Sequence, residues 1–380
     1  MVAGKKCLSL ALVLTLIIVL VYTPATIHSQ GSNSGEKCIV DAIGRTVCFT
    51  KTPSRVVSLA PSITELLFAL ELEEYIIGVD SISYNDSFYG IAGYVRSHSI
   101  ADVGGYWWST IKLEEILALK PDLVIADKGA HISLIDFFND NNITVVYLHG
   151  GSASSIEDVY SDIDIVSTIF DKTETARQII LDIDKAIARA GTLVHKYHGT
   201  RVLVVVGIWN GVWVAGKSTY IDDLLSRLGL VNVASVIGWK PVGIEEIASW
   251  SPDVVLVATG MGIDNSSIRD AGLYDIGADI VLLNSTETDM LCRPGPLVGY
   301  AVSSIAYRVS SVLEKRSGIS VSTAIANNET TIGLGSSALN TSGSKSGGGG
   351  SSNYLLLSGV AVLSCIVGVA IGYVVFRRTM

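Results

Sequence analysis

An internal repeat limits what this chain can fold into more than any other feature. The first copy, WWSTIKLEEILALKPDLVIAD, starts at Trp107; the second, WKPVGIEEIASWSPDVVLVAT, starts at Trp239. In each, periodic apolar positions predict a helix that stops before a Pro-Asp pair. A short apolar run, LVIA or VVLVA, then predicts a buried parallel strand. Proline stops the helix, and the residue before it is pushed toward extended geometry. Both copies place a Trp six residues before a Glu: Trp108 before Glu114, and Trp239 before Glu245. An apolar strand also lies upstream of each, RVVSLAP from Arg55 and RVLVVVG from Arg201. Strands alternating with helices predict an α/β fold of two similar lobes with mainly parallel sheets.

Between the copies runs DKTETARQIILDIDKAIARAGTLVHKYHG, from Asp171, with helical periodicity. It reads as one long helix over 171–198. That helix joins an N-terminal lobe, 36–170, to a C-terminal lobe, 199–317, with a binding cleft between them. A helical connection limits hinge bending more than flexible strands would.

The two ends of the chain read differently from the body. Lys5 and Lys6 precede an apolar run from Cys7 to Tyr22, and small polar residues follow. That is the order of a secretory signal peptide over 1–29, with a permanent N-terminal anchor as the alternative. Residues 318–353 are rich in Ser, Gly, Asn and Thr. They predict a flexible tether of about 30 Å end to end. Tyr354 to Phe376 is uncharged and mostly apolar, followed by Arg377 and Arg378. A helix there is about 34 Å long, enough to cross a bilayer with the basic pair in the cytoplasm. The expectation is a single-pass protein of the cell membrane whose binding body faces outside.

Composition excludes more than it assigns. A net charge of -9 argues against nucleic acid as a partner. Six Asn-x-Ser/Thr sequons begin at Asn85, Asn142, Asn265, Asn284, Asn328 and Asn340 and mark candidate glycan sites, expected of a glycoprotein. Cys38 and Cys48 flank IVDAIGRTV. A hairpin centred on Ile43 makes them face each other as a disulfide, and otherwise they are two unpaired thiols. Gly211 to Ser218, GVWVAGKS, fits the phosphate-loop spacing, but VWVA prefers an extended strand and no nucleotide site is expected. The histidines lack zinc spacing, and His98, His131 and His149 are the only set worth testing for convergence. No nucleophile elbow or triad spacing occurs. Neither a cofactor, a resident metal nor enzyme activity is expected.

The chain resembles the helical-backbone (class III) binding proteins of ABC importers, the iron-siderophore, heme and vitamin B12 group. The residues that carry the resemblance are IVDAIGRTVCF, RVVSLAPSITELLFAL with Glu65, LEEILALKPDLVIA, the long helix, VWVAGKSTYIDDLLSRLGLVNVA, PVGIEEIASWSPDVVLVA and RPGPLVGYAVSSIAYRV. Together they cover about 38–315. The resemblance implies a ligand held in a shallow cleft between the lobes. It also implies one Glu per lobe docking on a permease dimer that carries cytoplasmic ATPase subunits. Glu114 and Glu245 match those positions, and two carboxylates on similar lobes can meet two basic clusters. Trp108, Trp239 and Tyr84 match aromatics that face the ligand in the B12-binding relatives. Asp127 departs from that pattern, standing where those relatives have an aromatic.

In α/β sheets the ligand meets the loops at strand ends. The candidates there are Tyr84, Tyr106, Trp107, Trp108, Trp209, Trp213 and Trp239, whose flat faces suit a corrinoid, a heme or a ferric siderophore. Trp213, in a strand-like run, reads equally as core. Arg293, in LCRPGP at a strand-to-helix junction, is placed to pair with an anionic chelate or to lie on the surface. Two other readings stay open: a surface sensor with the same body, and an extracellular metal-handling enzyme.

Overall fold

The computed structural model describes residues 36–85, 90–259 and 262–316. The expected leader 1–29, tether 318–353 and span 354–376 lie outside the described residues. Among the described residues no helix is long and apolar enough to cross a membrane.

The chain opens with an antiparallel hairpin, β1 (Lys37–Val40) and β2 (Thr46–Phe49), in which Cys38 lies opposite Cys48 and the two form a disulfide. Asp41 organises the turn, accepting from the Ile43 and Arg45 amides and from the Arg45 guanidinium. Five parallel strands follow: β3 (Val56–Ser58), β4 (Ile76–Val79), β5 (Ala101–Asp102), β6 (Leu123–Asp127) and β7 (Val145–Leu148). Their order is β5-β4-β3-β6-β7. Every residue of β6 and β7 is buried, as the apolar run after Pro121 predicts for a strand covered on both faces. Helices α1 (Pro61–Ala69), α2 (Leu113–Leu119) and α3 (Ile156–Ile169) belong to this lobe, and α4 (Thr173–Val194) leads out of it.

The second sheet contains β8 (Arg201–Ile208), β9 (Val212–Ala215), β10 (Val231–Asn232), β11 (Trp239–Val242), β12 (Val254–Ala258) and β13 (Asp279–Leu283). Its order is β11-β9-β8-β12-β13, with β10 on the start of β8. The trio β8-β12-β13 repeats β3-β6-β7 and is parallel like it. On the other side the lobes part company, because β9 and β11 are antiparallel. Helices α5 (Tyr220–Arg227), α6 (Ile244–Ser249), α7 (Ser285–Cys292) and α8 (Val298–Arg316) complete the lobe. The phosphate-loop look-alike is the extended strand β9.

The repeat has a structural cause. In the first lobe the Arg55 amide donates to Asp122, and the Arg55 guanidinium donates to the Leu119 and Lys120 carbonyls at the end of α2. In the second, the Arg201 amide donates to Asp253, and its guanidinium donates to the Trp250 and Ser251 carbonyls after α6. The Asp of each Pro-Asp pair thus holds the start of the central strand, while the Arg closes a helix end whose carbonyls lack intrahelical partners. One expectation needs correction here. The residues before the prolines, Lys120 and Ser251, are left-handed, with φ of 48° and 46°, and not extended. Helix termination favours that conformation at the cap. The arginine clasp accepts it by bonding the carbonyls on either side.

One apolar core runs through both lobes, including Leu66, Val166, Ile183, Val204 and Val302. In α4 the buried residues Ala176, Ile183, Ala190 and Val194 make one stripe. Against it packs α8, and Gly299 permits the close approach: a Cβ there would lie 3.3 Å from the Ala186 Cβ.

Candidate functional site

The loops beyond the parallel strands carry Tyr84, Tyr106, Trp107, Trp108 and Trp209, while Trp213 and Trp239 lie on β9 and β11, and the two lobes support them differently. In the N-terminal lobe the supports are buried carboxylates. Asp127, the last residue of β6, is fully buried. It accepts from the Gly129 amide at 2.7 Å, the Gly151 amide at 2.6 Å and the Tyr106 hydroxyl at 2.7 Å. A Cβ on Gly150 would collide with this carboxylate, so glycine is required there. The Asp127 carboxylate therefore faces inward, among its donors.

His131 completes the arrangement. Its Nδ1 accepts from the Asp127 amide, so Nε2 carries the proton and donates to the Tyr106 carbonyl. Burial lowers its pKa, against the charge of Asp127 and the bond to Tyr106. Asp80, just beyond β4, is also fully buried. It caps the short helix Ser81–Asn85, accepting from the Ile82 and Ser83 amides and the Ser83 hydroxyl. Burial pushes Asp80 up to about 6, against the Ser83 hydrogen bonds and the charge of Arg293. Asp102, at the end of β5, accepts from the Ser81 hydroxyl and the Gly104 amide and pairs with Lys112 at 3.0 Å. Burial alone would raise its pKa, but those partners bring it below the usual range.

These supports place Tyr84, Tyr106, Trp107 and Trp108 unequally. Tyr84 and Trp107 are half-buried, and the Trp107 ring meets Tyr106 edge-on at 4.9 Å. Tyr106 is 6% exposed and gives its hydroxyl to Asp127, so the fold uses it as core and not as an open ligand face. Trp108, on a single 3-10 turn, is 45% exposed.

The C-terminal lobe supports its rim by packing. The Trp209 and Trp213 rings stack 4.9 Å apart at 19°, and Trp213 Nε1 donates to the Trp209 carbonyl. Gly207 leaves the space, since a Cβ there would overlap the Trp209 ring. Trp213 is 6% exposed and core, while Trp209 is half-buried. Trp239 is half-buried at the start of β11, opposite Ala215. Glu114 and Glu245 are exposed in the first turns of α2 and α6, each beside a second exposed glutamate, Glu115 or Glu246.

Arg293 is corrected most. It neither lies on the surface nor stands open to an anionic ligand. Its Nη1 meets Glu65 at 3.0 Å and its Nη2 meets Asp289 at 2.9 Å, with 13% of the side chain exposed. The histidines do not converge either: His131 is sequestered, His149 pairs with Asp162, and His98 stacks on Tyr94. Among the described residues, the one group with metal-ligand proximity is Glu36 with Cys38 and Cys48, and both sulfurs are in the disulfide. Grooves of about 500 Å³ beside β1 and α3, and about 470 Å³ beside His195 and His198, hold none of the aromatic candidates.

Sequence reasoning missed the roles of Asp80 and Asp127. Asp127 ends β6 and Asp80 directly follows β4, in DKGA and DSIS, the position of a side chain that caps the next turn.

A family model described as periplasmic binding protein matches residues 56–273. An uncharacterized ABC transporter substrate-binding lipoprotein, YvrC of Bacillus subtilis, is 26% identical over 276 residues, 70% of this chain and 83% of that protein. A vitamin B12-binding protein of Pectobacterium carotovorum is 24% identical over 268 residues, 68% of this chain and 90% of that one. Among solved structures, the petrobactin-binding protein YclQ from Bacillus subtilis aligns with a TM-score of 0.59 at 19% identity, over 73% of this chain and 99% of its own. That likeness is one of fold.

Proposed function

The chain belongs to the periplasmic binding protein family, and we propose that it is the substrate-binding protein of an ABC importer that captures a corrinoid or a metal chelate such as a ferric siderophore or heme. The relatives it matches are named as substrate-binding proteins and not as enzymes. Their names include vitamin B12 binding, which supports a flat or chelated ligand. The observation that carries the reading is Trp108, a large aromatic 45% exposed at the strand ends of one lobe, with Trp209 and Trp239 half-buried in the other. Exposed indoles gain most from a planar partner that removes them from water.

Titration with cyanocobalamin, hemin and a ferric catecholate tests this, read by tryptophan quenching and thermal shift. A tight ligand raises Tm by mass action. One of these is expected to bind, and Trp108→Ala with Trp239→Ala is expected to weaken it at least tenfold while the fold persists. Undiminished binding by the double variant overturns the aromatic site.

Glu114 and Glu245 are the docking pair in this reading, set on helices that the repeat makes equivalent. Replacing both with Ala is expected to abolish uptake through the permease and its ATPase subunits and to leave ligand affinity unchanged. Normal uptake would remove the docking assignment. The same reading makes 1–29 a leader and 354–376 a membrane anchor, with the body outside the cell on the tether 318–353. A lipoprotein relative agrees with a surface-held protein. Exported in this way, the chain offers Asn142, exposed in a turn, as an accessible glycan acceptor. Protease shaving of intact cells tests the exposure.

A further inference from the structure

Glu65 and Arg293 are 228 residues apart in sequence and belong to different lobes. Glu65 lies on α1, which follows the carboxyl end of β3. Arg293 lies at the end of α7, which follows the carboxyl end of β13. Their contact therefore joins a helix of each lobe, on α1 just beyond the carboxyl end of β3 and at the far end of α7. Both side chains are withdrawn from water, Glu65 to 1% and Arg293 to 13% exposure. Beyond Arg293 the chain runs close to α1: a Cβ on Gly295 would lie 3.5 Å from the Ser62 carbonyl. The lobes also meet through α3 and α5, where the Ile156 amide donates to Asp223 and the Tyr220 amide donates to the Ala153 carbonyl. Those contacts use main-chain groups and one more exposed ion pair, Arg227 with Glu157. Glu65 with Arg293 is a buried full-charge pair, whose geometry is demanding and whose breakage strands a charge.

We propose that Glu65 and Arg293 form a positioning pair that fixes the separation of the two lobes at the cleft, so that the gap between Trp108 and the C-terminal rim is preset before ligand arrives. The helix α4 and the α3–α5 contacts hold the lobes elsewhere, and this pair adds a charged restraint beside α1. An added restraint away from the others limits the pivoting they leave free. Asp289 braces the arginine from its own helix, and Asp80, which caps the helix carrying Tyr84, feels the charge of Arg293. The pair thus sets the lobe spacing and also touches the electrostatics behind one ligand-facing loop. Its part in capture rests on the binding-protein reading; its part in lobe spacing does not.

The test measures lobe spacing directly, in the full chain with Cys7→Ser, Cys292→Ser and Cys365→Ser. Nitroxide labels go on Asp140→Cys and Asp270→Cys, one exposed site per lobe, and in a control on Arg96→Cys and Asp140→Cys within one lobe. Electron double resonance reads the distance distributions without ligand. The parent is expected to show one narrow inter-lobe distance. Arg293→Met is expected to broaden it and shift it outward, leaving the within-lobe distance narrow, and Arg293→Lys to restore much of the narrowness. Glu65→Gln, which keeps the shape and removes the charge, serves the same purpose if Arg293→Met does not fold. An unchanged inter-lobe distribution in a folded variant overturns the proposal. So does equal broadening within one lobe, which marks general loosening. If the spacing responds but neither cyanocobalamin, hemin nor a ferric catecholate binds the parent, the positioning pair stands and the ligand reading falls.

Discussion

The two lobes answer the same problem with different chemistry. Each must hold aromatic side chains on loops beyond its strands, where backbone amides have no sheet partner. The N-terminal lobe does so with carboxylates: Asp127 gathers two loops and the Tyr106 hydroxyl, and Asp80 caps the helix beneath Tyr84. The C-terminal lobe does so with a stacked pair of indoles over a glycine, beside antiparallel strands that the first lobe's five-stranded sheet lacks. Repetition at the level of strands and helices did not extend to the rims. A polar hub is directional and fixes its loops by hydrogen bonds, but its buried groups are costly when left unpaired. A packed pair tolerates small shifts but has to be filled.

The largest expected effect is on the polar hub. Asp127→Ala leaves the Gly129 and Gly151 amides and the Tyr106 hydroxyl without their acceptor, and is expected to cost about 3–5 kcal/mol in urea unfolding. A loss under 1 kcal/mol would mean water replaces the carboxylate easily, and the contrast between the lobes would collapse. Trp213→Ala comes next, at about 3–4 kcal/mol, by removal of a buried ring. That loss should not vary with salt, because no charge is involved.

Asp80 sharpens the contrast through pH. Its native pKa of about 6 lies above its unfolded value near 3.8, so the native state binds the proton more tightly. Its contribution is present below about pH 4 and is lost as pH rises through about 6, an amount of about 3 kcal/mol. Asp80→Asn removes the dependence. The stability difference between parent and variant, followed by chemical denaturation from pH 4 to 7, should therefore change by that order. A flat difference contradicts a buried ionisable cap. No counterpart is expected in the C-terminal rim, which rests on indoles.

The smallest effects test what the lobes share. Arg55→Ala and Arg201→Ala each remove an exposed clasp on a helix end, and each should cost about 1 kcal/mol. Equal losses support one repeated device. Clearly unequal losses would mean the two copies no longer do the same work.

Much of this was legible in the residues. The Pro-Asp pairs, the upstream arginines and the apolar runs determined two α/β units joined by a helix, because strand and helix periodicity are local properties that each copy states separately. Aromatics at strand ends were legible for the same reason. What each side chain touches was decided only by the tertiary structure. The left-handed residues before Pro121 and Pro252 depend on carbonyls clasped from a distant strand. Tyr106 turns inward because a carboxylate waits at the end of β6, and Arg293 meets Glu65 because folding brings α1 and α7 together. Partners separated by tens or hundreds of residues leave no periodic trace in a single sequence. A charge or a ring announces that it needs a partner, and the packing of the lobes determines which one it finds.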